Sequence, residues 1–339
     1  MLVTVLRFIL KSVAILLLLV IFIASAAWGT LAVHYSDLGS SALGTALAGS
    51  FALLSVVVLV GLFMQRRRWH AIAAYALAFA GLIAWWSGIA PSNDRHWKPE
   101  VAKLPLVRID GDRITIRNIR NFSYRTETDY TVAYYDKIFE LAGLESVDLI
   151  AVYWGSPAIA HMMVSFNFGA DDHLDISIER RDEIGESYST VKGLFKQYEL
   201  FYVVADERDV IRLRTNVRVP REDVYVYRLK APIEDGRRLF LEYIKEIQSL
   251  ATRPEFYNTV ATNCTGNIWL HSQVNPGRVP YSWKILVSGY VPEYLYERGK
   301  LETNLPFPEL QRRSRVNDAA QAADLAEDFS RRIRVGLSK

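Results

Sequence analysis

Cysteine is almost absent from this sequence, because Cys264 is the only one among 339 residues. A single cysteine excludes an intramolecular disulfide framework and any zinc site built from several cysteines. The chain also has no HExxH motif, P-loop or GxGxxG motif, so metal hydrolases and nucleotide-binding proteins find little support. Its net charge of +3 is small and its basic and acidic residues are interleaved, so no nucleic-acid partner is expected.

Long uncharged apolar stretches, by contrast, occupy the N-terminal part of the chain. They lie at 12–33, 42–64 and 71–89, and each approaches or exceeds the length of about 20 residues that a helical membrane span needs. A buried core helix is the alternative for each, but uncharged runs of this length are typical of membrane spans. The sequence therefore predicts a three-helix transmembrane region over residues 1–90.

Charge predicts how these spans are oriented. Arg7 and Lys11 precede the first span and arginines at 66–68 separate the second from the third, whereas the loop at 34–41 has no lysine or arginine. The positive-inside rule places the N-terminus and the arginines in the cytoplasm, and the chain after the third span outside it. Residues 25–27 resemble a signal-peptidase site, but the first span is long for a signal core, which favours a retained anchor.

The chain after the spans predicts one globular α+β domain over residues 93–306, with an antiparallel sheet. Residues 104–118 alternate around a hairpin turn at Asp110-Gly111. Further strands are predicted at 146–154, 158–168, 174–180, 200–205 and 224–229.

Helices and polar segments complete this prediction. The patterns at 130–141 and 233–250 predict helices. The charged run at 206–209 is most simply a solvated turn, and a buried Arg–Glu network that braces the site is the alternative for this run and for the one at 212–214. The tail at 307–339 is charged and rich in alanine, which predicts a surface helix or partial disorder.

The single cysteine stands where a helix is predicted to begin, after a cap at Asn263 or Thr262. The positive end of the helix dipole favours a thiolate, and the free N–H groups there can hold a developing oxyanion. A nucleophilic thiol also needs a base that a third group orients. A lone cysteine is otherwise most often a small buried hydrophobic residue, and this interpretation stays open.

His161, in the middle of a predicted strand, is the candidate base. A period of two puts on its face Met163, Ser165 and Asn167. The next strand offers on one face Asp175, Ser177 and Glu179. Glu179 is the first choice to orient the imidazole and Ser177 the second. The alternatives are a core histidine with satisfied hydrogen bonds and an ordinary charged surface at 179–181.

Four stretches of the chain resemble the periplasmic domain of the bacterial Lnb-type lipoprotein N-acyltransferases. They are HMMVSFNFG at 161–169, ISIERRDEIGESYS at 176–189, GLFKQYELFYVVADERDVIRLR at 193–214 and YNTVATNCTGNI at 257–268. The order of His and Cys is also similar to the circularly permuted branch of the papain-like, NlpC-type superfamily, which includes the lecithin:retinol acyltransferases. In that branch the nucleophilic Cys begins a helix, the His stands on a strand, and a polar residue on the next strand orients it.

The resemblance implies a permuted papain-like domain with a defined set of site residues. Cys264 would be the nucleophile, His161 the base, and Glu179 or Ser177 the orienting residue. Residues expected to contact the substrate are Asn263, Thr265 and Ser165. In the enzymes that the chain resembles, the membrane helices follow the periplasmic domain, whereas here three spans precede it, so the substrate need not approach in the same way.

The activity that the resemblance implies is acyl transfer. Cys264 would take an acyl chain from a membrane phospholipid as a thioester and pass it to the N-terminal amine of a diacylglyceryl-cysteine lipoprotein. The implied partners are therefore the lipid bilayer, the phospholipid donor and the diacylated lipoprotein acceptor. No cofactor is implied, because a phospholipid ester is already an activated donor. The implied location is the inner membrane of a bacterium, with the catalytic domain on the periplasmic side.

Two other functions remain open from the sequence. The same residues would serve a membrane-anchored cysteine hydrolase that cuts peptidoglycan peptides or lipids, or Cys264 could be packed in a non-catalytic domain that binds a lipid or a partner. An apolar approach to Cys264 would favour the transferase, and a polar, open one a wall peptidase. Aromatic residues that could form an interfacial rim, or belong to the core, are Tyr281, Trp283, Tyr290, Tyr294 and Tyr296.

Overall fold

The structure is a computed structural model that describes residues 2–36, 38–64, 66–169, 171–302 and 304–337. The chain divides into two compact units. The first contains Met1–Pro91 and Tyr188–Gln197, and the second contains Ser92–Ser187 and Tyr198–Lys339. The first unit thus combines the apolar N-terminal region with a short segment taken from the middle of the predicted domain.

Three long helices make up most of the first unit, namely α1 (Leu2–His34), α2 (Ser41–Leu62) and α3 (Arg68–Ser87). Each is long and apolar enough to cross a membrane, in agreement with the three predicted spans. α1 begins well before the predicted span, and its 33 residues extend about 50 Å at 1.5 Å per residue. Most leucine and valine side chains of these helices are exposed, as lipid-facing helices require.

The short segment that joins the first unit meets its helices through one aromatic ring and one lysine. Phe195 stacks on Tyr35 with ring centroids 5.6 Å apart and meets Trp86 edge-on at 6.2 Å. Lys196 Nζ donates to the carbonyl oxygens of Trp86 and Ile89 at 2.9 and 3.0 Å. The ammonium thus satisfies carbonyls at and just beyond the end of α3, where a helix leaves such groups without partners.

The second unit is built on one large sheet. The strands of this unit are β1 (Leu106–Asp110), β2 (Arg113–Arg120), β3 (Ser123–Tyr124), β4 (Tyr130–Thr131), β5 (Tyr134–Glu140), β6 (Ser146–Tyr153), β7 (Ala160–Asn167), β8 (His173–Arg181), β9 (Glu199–Asp206) and β10 (Asp223–Arg228). The order in the sheet is β1-β2-β9-β8-β7-β6-β10, β5 also pairs with β2, and β3 pairs with β4 separately. Apart from one parallel contact between β2 and β9, the pairs in the described residues are antiparallel, which confirms the predicted α+β class.

The predicted hairpin is correct, and the predicted helix at 130–141 is wrong. Gly111 turns the chain between β1 and β2 with a φ of 60°, a conformation that glycine adopts without strain. Residues 130–141 instead form β4, β5 and a short turn of helix. β5 pairs with β2, where Phe139 is buried opposite Ile114 while its neighbour Ile138 is exposed. The aromatic and β-branched residues of this segment suit a half-buried strand.

Helices surround the sheet on both sides. In chain order they are α4 (Glu207–Arg212), α5 (Ile233–Thr252), α6 (Cys264–Ser272), α7 (Trp283–Leu286), α8 (Val291–Glu297), α9 (Phe307–Ser314), α10 (Asn317–Ala323) and α11 (Phe329–Arg332). The helix predicted at 233–250 and the one predicted to begin near Cys264 are therefore present.

Alternation along the strands gives the sheet two buried faces. On the first face Met162 and Val164 of β7 belong to a core that includes Phe240 and Tyr243 of α5. On the second face the next residue of β7, Met163, belongs to a core with side chains from α4, α10 and α11. The sheet is thus covered by α5 on one face and by C-terminal helices on the other.

The C-terminal tail is part of the second unit and forms α9, α10 and α11, so the expectation of helix is correct and that of partial disorder is wrong for the described residues. Side chains of the tail that are buried against the sheet include Val316, Ala320, Ala323, Phe329 and Ile333. Arg334 donates through Nε to Asp148 at 2.8 Å and through Nη1 to Glu207 at 2.7 Å. Part of the charge that suggested a solvated tail is therefore buried in an ion network.

The charged run at 206–209 is also buried rather than a solvated turn. Glu207 and Asp209 have no exposed surface. Arg334 donates to Glu207 at 2.5 Å, and Arg120 donates to Asp209 at 2.8 Å. Each buried carboxylate is matched by a guanidinium, which is the condition under which buried charges are tolerated.

Candidate active site

Cys264 is the first residue of α6, and the preceding loop is closed by side chains. Asn263 caps the helix, because its Oδ1 accepts the N–H of Gly266 at 2.7 Å while its Nδ2 donates to the carbonyl of Thr259 at 2.8 Å. The N–H groups of Cys264 and Thr265 have no acceptor among the described residues. Two backbone donors therefore remain free beside the partly exposed thiol.

The sulfur lies where two neighbouring strands separate. The β7–β8 ladder ends at the pair of Met163 and Ser177, although β7 continues back to Ala160 and β8 continues on to Arg181. Met162 is therefore not paired with β8, and its backbone is among the groups that act on the Cys264 thiol. The opening between the strands thus admits the N-terminus of α6 to the start of β7.

His161 stands at this opening and links the thiol to β8. Its Nε2 lies 2.7 Å from Oγ of Ser177, and Ser177 Oγ donates to Oε1 of Glu179 at 2.7 Å. The direct separation of His161 Nε2 from Glu179 Oε1 is 3.6 Å. The imidazole also interacts electrostatically with Cys264, and because Nε2 meets Ser177, Nδ1 is the nitrogen that remains for the sulfur.

Arg214 holds the far end of this chain of hydrogen bonds, and the sequence did not single it out as a site residue. Its Nη2 donates to Glu179 Oε1 at 3.3 Å, and its Nη1 donates to the carbonyl of Val210 at 2.8 Å. The side chain is nearly fully buried. Arg214 follows β9 and α4 in the chain, and no local sequence pattern connects this position to β8.

The charged forms of Cys264 and His161 stabilise each other. Burial alone would raise the pKa of the Cys264 thiol, but the charge of the neighbouring His161 lowers it to about 7. Burial alone would lower the pKa of His161, whereas Cys264 and Glu179 raise it to about 9. Between these values the pair is a thiolate and an imidazolium.

Glu179 remains ionised beside this pair. Its burial acts to raise the pKa of the carboxyl, but its interaction with the nearby His161, together with the charge of Arg214, holds that pKa well below its usual range. The carboxylate therefore supplies a fixed negative charge behind the imidazolium.

A second buried carboxyl lies on the same strand face. Asp175 is fully buried, and neither of its carboxyl oxygens has a hydrogen-bond partner in the described part of the chain. Burial raises its pKa well above the usual range, and the charge of Glu207 adds to this. The face predicted to carry Asp175, Ser177 and Glu179 thus contains one carboxyl whose pKa is raised and one whose pKa is lowered.

The loop before β7 is fixed to the segment before α8, and this fixes the position of His161. Gly289 donates its N–H to the carbonyl of Ala158 at 3.0 Å, and Ser288 Oγ accepts the N–H of Ala160 at 2.9 Å. A Cβ at Gly289 would stand 2.1 Å from the carbonyl oxygen of Pro157, so only glycine allows this approach.

The three residues expected to contact substrate lie in different surroundings. Thr265 is buried, with Oγ1 3.7 Å from Sγ of Cys264. The Asn263 side chain is engaged in capping α6. Ser165 differs from the expectation, because it is fully buried and donates to Glu207 at 2.5 Å. No surface of Ser165 is therefore open to a substrate.

The downstream aromatic residues divide between surface and core. Tyr281 and Trp283 are more than half exposed, and so is Leu286 at the end of α7. Tyr294 is buried and donates its hydroxyl to the carbonyl of Pro280 at 2.6 Å. α7 contacts α6, so exposed apolar side chains lie on the element next to the cysteine helix. The remaining rim candidates, Tyr290 and Tyr296, are half-buried.

The described residues contain no group of three or more His, Cys, Asp or Glu side chains arranged to hold a metal ion. They do bring together, one beside the next in space, the thiol of Cys264, the imidazole of His161, the hydroxyl of Ser177 and the carboxylate of Glu179. A cysteine whose base is oriented by a third group is the arrangement of nucleophilic catalysis.

Comparison with known proteins agrees with the resemblance drawn from the sequence. The family model of the Lnb N-terminal periplasmic domain matches residues 130–289, which include both Cys264 and His161. The comparisons with curated proteins and with solved structures each give no match. The chain is therefore a membrane protein in which residues 130–289 are similar to the Lnb N-terminal periplasmic domain family.

Proposed function

We propose that this protein is a thiol acyltransferase of the bacterial inner membrane. It would move an acyl chain from a phospholipid to the N-terminal amine of a diacylglyceryl-cysteine lipoprotein through a thioester on Cys264. The observation that carries the proposal is the electrostatic interaction of Cys264 with His161 at the N-terminus of α6, in a region that matches the Lnb family model. The three candidate spans support a substrate that resides in the bilayer.

In the first half-reaction the thiolate of Cys264 attacks the ester carbonyl of the phospholipid. The C–S bond forms, the C–O bond of the ester breaks, and the imidazolium of His161 gives its proton to the leaving alkoxide, so that a lysophospholipid departs. The free N–H groups of Cys264 and Thr265 lie where they would stabilise the oxyanion of the intermediate.

In the second half-reaction the lipoprotein amine attacks the thioester. His161, now neutral, takes a proton from the amine, the C–S bond breaks, and the thiolate and imidazolium are restored. Ser177 and Glu179 keep the imidazole in one orientation during both steps, because Nε2 stays bonded on the side away from the sulfur. They are positioning residues, and Arg214 fixes Glu179 in turn.

The surroundings of α6 favour a lipid over a wall peptide as the first substrate. Ile159, which precedes His161 by two positions, is more than half exposed, as are Trp283 and Leu286 on α7. Exposed apolar groups of this kind mark surfaces that meet lipid or another apolar partner. A peptidase for the polar cell wall would have no use for them.

The test is mass spectrometry of lipoprotein N-terminal peptides from a bacterial strain depleted of its own lipoprotein N-acyltransferase. We expect N-acylated peptides with the wild-type protein and a free α-amine with Cys264→Ser present at the same level in the membrane. A free amine with both proteins would contradict the proposal. Release of free fatty acid by purified wild-type protein without transfer would instead favour a lipid hydrolase.

A further inference from the structure

An apolar pocket of about 350 Å³ lies beside the cysteine helix in the second unit. Its walls come from β6 and β7 of the sheet and from α5, α6 and α8. This volume falls within the range of roughly 300–1,000 Å³ that is typical of small-molecule sites. None of the chemical steps proposed above uses this pocket.

The inner wall of the pocket is built from hydrocarbon side chains. The buried ones include Val147, Leu149, Met162, Val164, Leu239 and Val291. The hydroxyl of Tyr294, another lining residue, is already bonded to a backbone carbonyl. An apolar occupant therefore leaves the hydrogen bond of the Tyr294 hydroxyl intact. A polar occupant would lose its own hydrogen bonds with water on entering the pocket.

Two lining residues connect the pocket to the sulfur. Thr265 lines it and has Oγ1 3.7 Å from Sγ of Cys264. Met162 lines it too, and its backbone is among the groups that act on the same thiol. Ile268 continues the wall one helical turn further along α6. A chain bonded to Cys264 therefore has an apolar space directly beside its point of attachment.

The outer part of the pocket is charged. Lys230 and Arg278 are exposed there, Lys300 is half-buried, and none of the three has an ion-pair partner in the described ranges. Burying a hydrocarbon chain is favourable along the inner wall, but the chain gains nothing where it meets solvated cations. The apolar part of the pocket can therefore bury only a limited length of hydrocarbon chain.

We propose that this pocket holds the acyl chain of the Cys264 thioester and sets which chain lengths are transferred. The inference rests on the proposed thioester and deepens it by naming where the donor chain lies. Chains that fill the apolar part gain from every methylene that they bury, whereas shorter chains leave part of it empty. Each buried methylene changes binding by about fourfold.

The experiment uses full-length protein in detergent with phospholipids that carry octanoyl, dodecanoyl, hexadecanoyl or octadecanoyl chains. Acyl-enzyme formation is followed by intact-protein mass spectrometry. Ile268→Trp and Leu295→Trp place bulk in the pocket from two different helices. Leu270→Trp is the matched control, because Leu270 is on the same helix as Ile268 but exposed and outside the pocket.

A tryptophan that displaces two methylenes should lower hexadecanoyl transfer by at least about tenfold and spare octanoyl transfer. Leu270→Trp should keep the wild-type profile. A wild-type chain-length profile in both pocket variants would overturn the inference while leaving acyl transfer intact.

A second measurement separates the pocket from the chemistry. Binding of a fluorescent palmitic-acid analogue to Cys264→Ala protein reports on the pocket without any transfer. We expect Ile268→Trp in this background to weaken binding by at least about tenfold. If no phospholipid acylates the wild type although the probe binds and Ile268→Trp weakens it, the proposed function fails and the pocket stands. If the probe binds Cys264→Ala and its Ile268→Trp derivative equally, the pocket inference fails.

Discussion

Oγ of Ser177 lies 2.7 Å from Nε2 of His161 and stands between the imidazole and the carboxylate of Glu179. The hydroxyl therefore transmits the orientation, while the carboxylate supplies the charge. Glu179 is itself 3.6 Å from Nε2, so it acts on the imidazolium both through the hydroxyl and directly. Substitutions of Ser177 and of Glu179 should therefore have different effects.

Glu179→Gln should slow acyl-enzyme formation more than Ser177→Ala does. The first change removes the negative charge that raises the pKa of His161, whereas the second leaves it in place. We expect a loss of about 100-fold or more for Glu179→Gln, and a smaller loss for Ser177→Ala. The rate is measured by intact-protein mass spectrometry. Glu140→Gln, on an exposed residue at the end of β5, is the control and should behave as wild type. Equal losses in both site variants would contradict the division of roles.

Alkylation of the single cysteine should report the ion pair directly. The thiolate fraction rises with pH through the pKa of about 7, so the iodoacetamide rate of the wild type should rise through the same region. In His161→Gln the imidazolium is lost and burial remains, which moves the inflection above about 8.5, the pKa of an ordinary thiol. Because Cys264 is the only cysteine, the adduct needs no mapping. An unchanged inflection in His161→Gln would mean that the imidazole does not stabilise the thiolate.

Acylation itself should have a bell-shaped pH dependence. It needs the thiolate as nucleophile and the imidazolium as acid, so it should rise through about 7 and fall through about 9. The rate constant for acyl-enzyme formation, measured over this range with one phospholipid, checks both limbs. A rate that keeps rising above the upper value would exclude His161 as the proton donor to the leaving group.

The sequence predicted the part of the site that depends on local patterns. Alternation along two adjacent strands placed His161 and Ser177 within reach of each other, and capping chemistry placed Cys264 at the start of a helix. The role of Arg214 was not predictable, because its contact with Glu179 joins residues 35 positions apart through a turn after β9. Local periodicity contains no information about such a pairing.

Burial of charge was the other feature that the sequence concealed. Glu207 looked solvated because its neighbours are charged, and Arg334 looked like part of a loose tail. The two form one buried contact across 127 positions, and each is tolerated inside only because the other is there. The helix wrongly predicted at 130–141 has the same origin, since β2 of the sheet supplies the hydrogen bonds that make this segment a strand.

Gly289→Ala should displace the loop that fixes the start of β7. The added Cβ would stand 2.1 Å from the carbonyl oxygen of Pro157 and 2.6 Å from the carbonyl carbon of Ala158, and backbone cannot move aside as a flexible side chain can. We expect a loss of acylation of about tenfold or more, since small misplacements of a catalytic group are costly. Gly143→Ala is the matched control, because nothing lies within 4 Å of a Cβ there.

The alkylation inflection shows whether Gly289→Ala acts through the site. If the loop positions His161, the thiol pKa should rise in this variant, and Gly143→Ala should leave it at the wild-type value. Loss of activity with a wild-type inflection would mean that the glycine serves the fold or the substrate path rather than the imidazole.

Arg334→Met should destabilise the second unit, whereas Arg331→Met should change little. Arg334 bonds two fully buried carboxylates, Asp148 and Glu207, and its loss leaves Glu207 without a cation, whereas Asp148 keeps its ion pair with Arg228. Removing one partner of a buried pair costs about 3–5 kcal/mol. Arg331 is exposed and meets Asp171 and Asp328 in solvent. Urea unfolding of the full chain in detergent, followed by tryptophan fluorescence, measures the difference at neutral pH.

The difference in free energy of unfolding between the wild type and Arg334→Met should become smaller at acidic pH. Burial acts to raise the pKa of Glu207, but Arg334 lowers it to about 2. The stabilisation from this carboxylate is therefore complete above the usual glutamate value and is lost as the pH falls toward about 2. Without Arg334 the buried Glu207 takes up a proton at higher pH, so acid relieves the variant while it weakens the wild type. If the difference in free energy of unfolding stays constant from neutral to acidic pH, Arg334 contributes packing rather than charge.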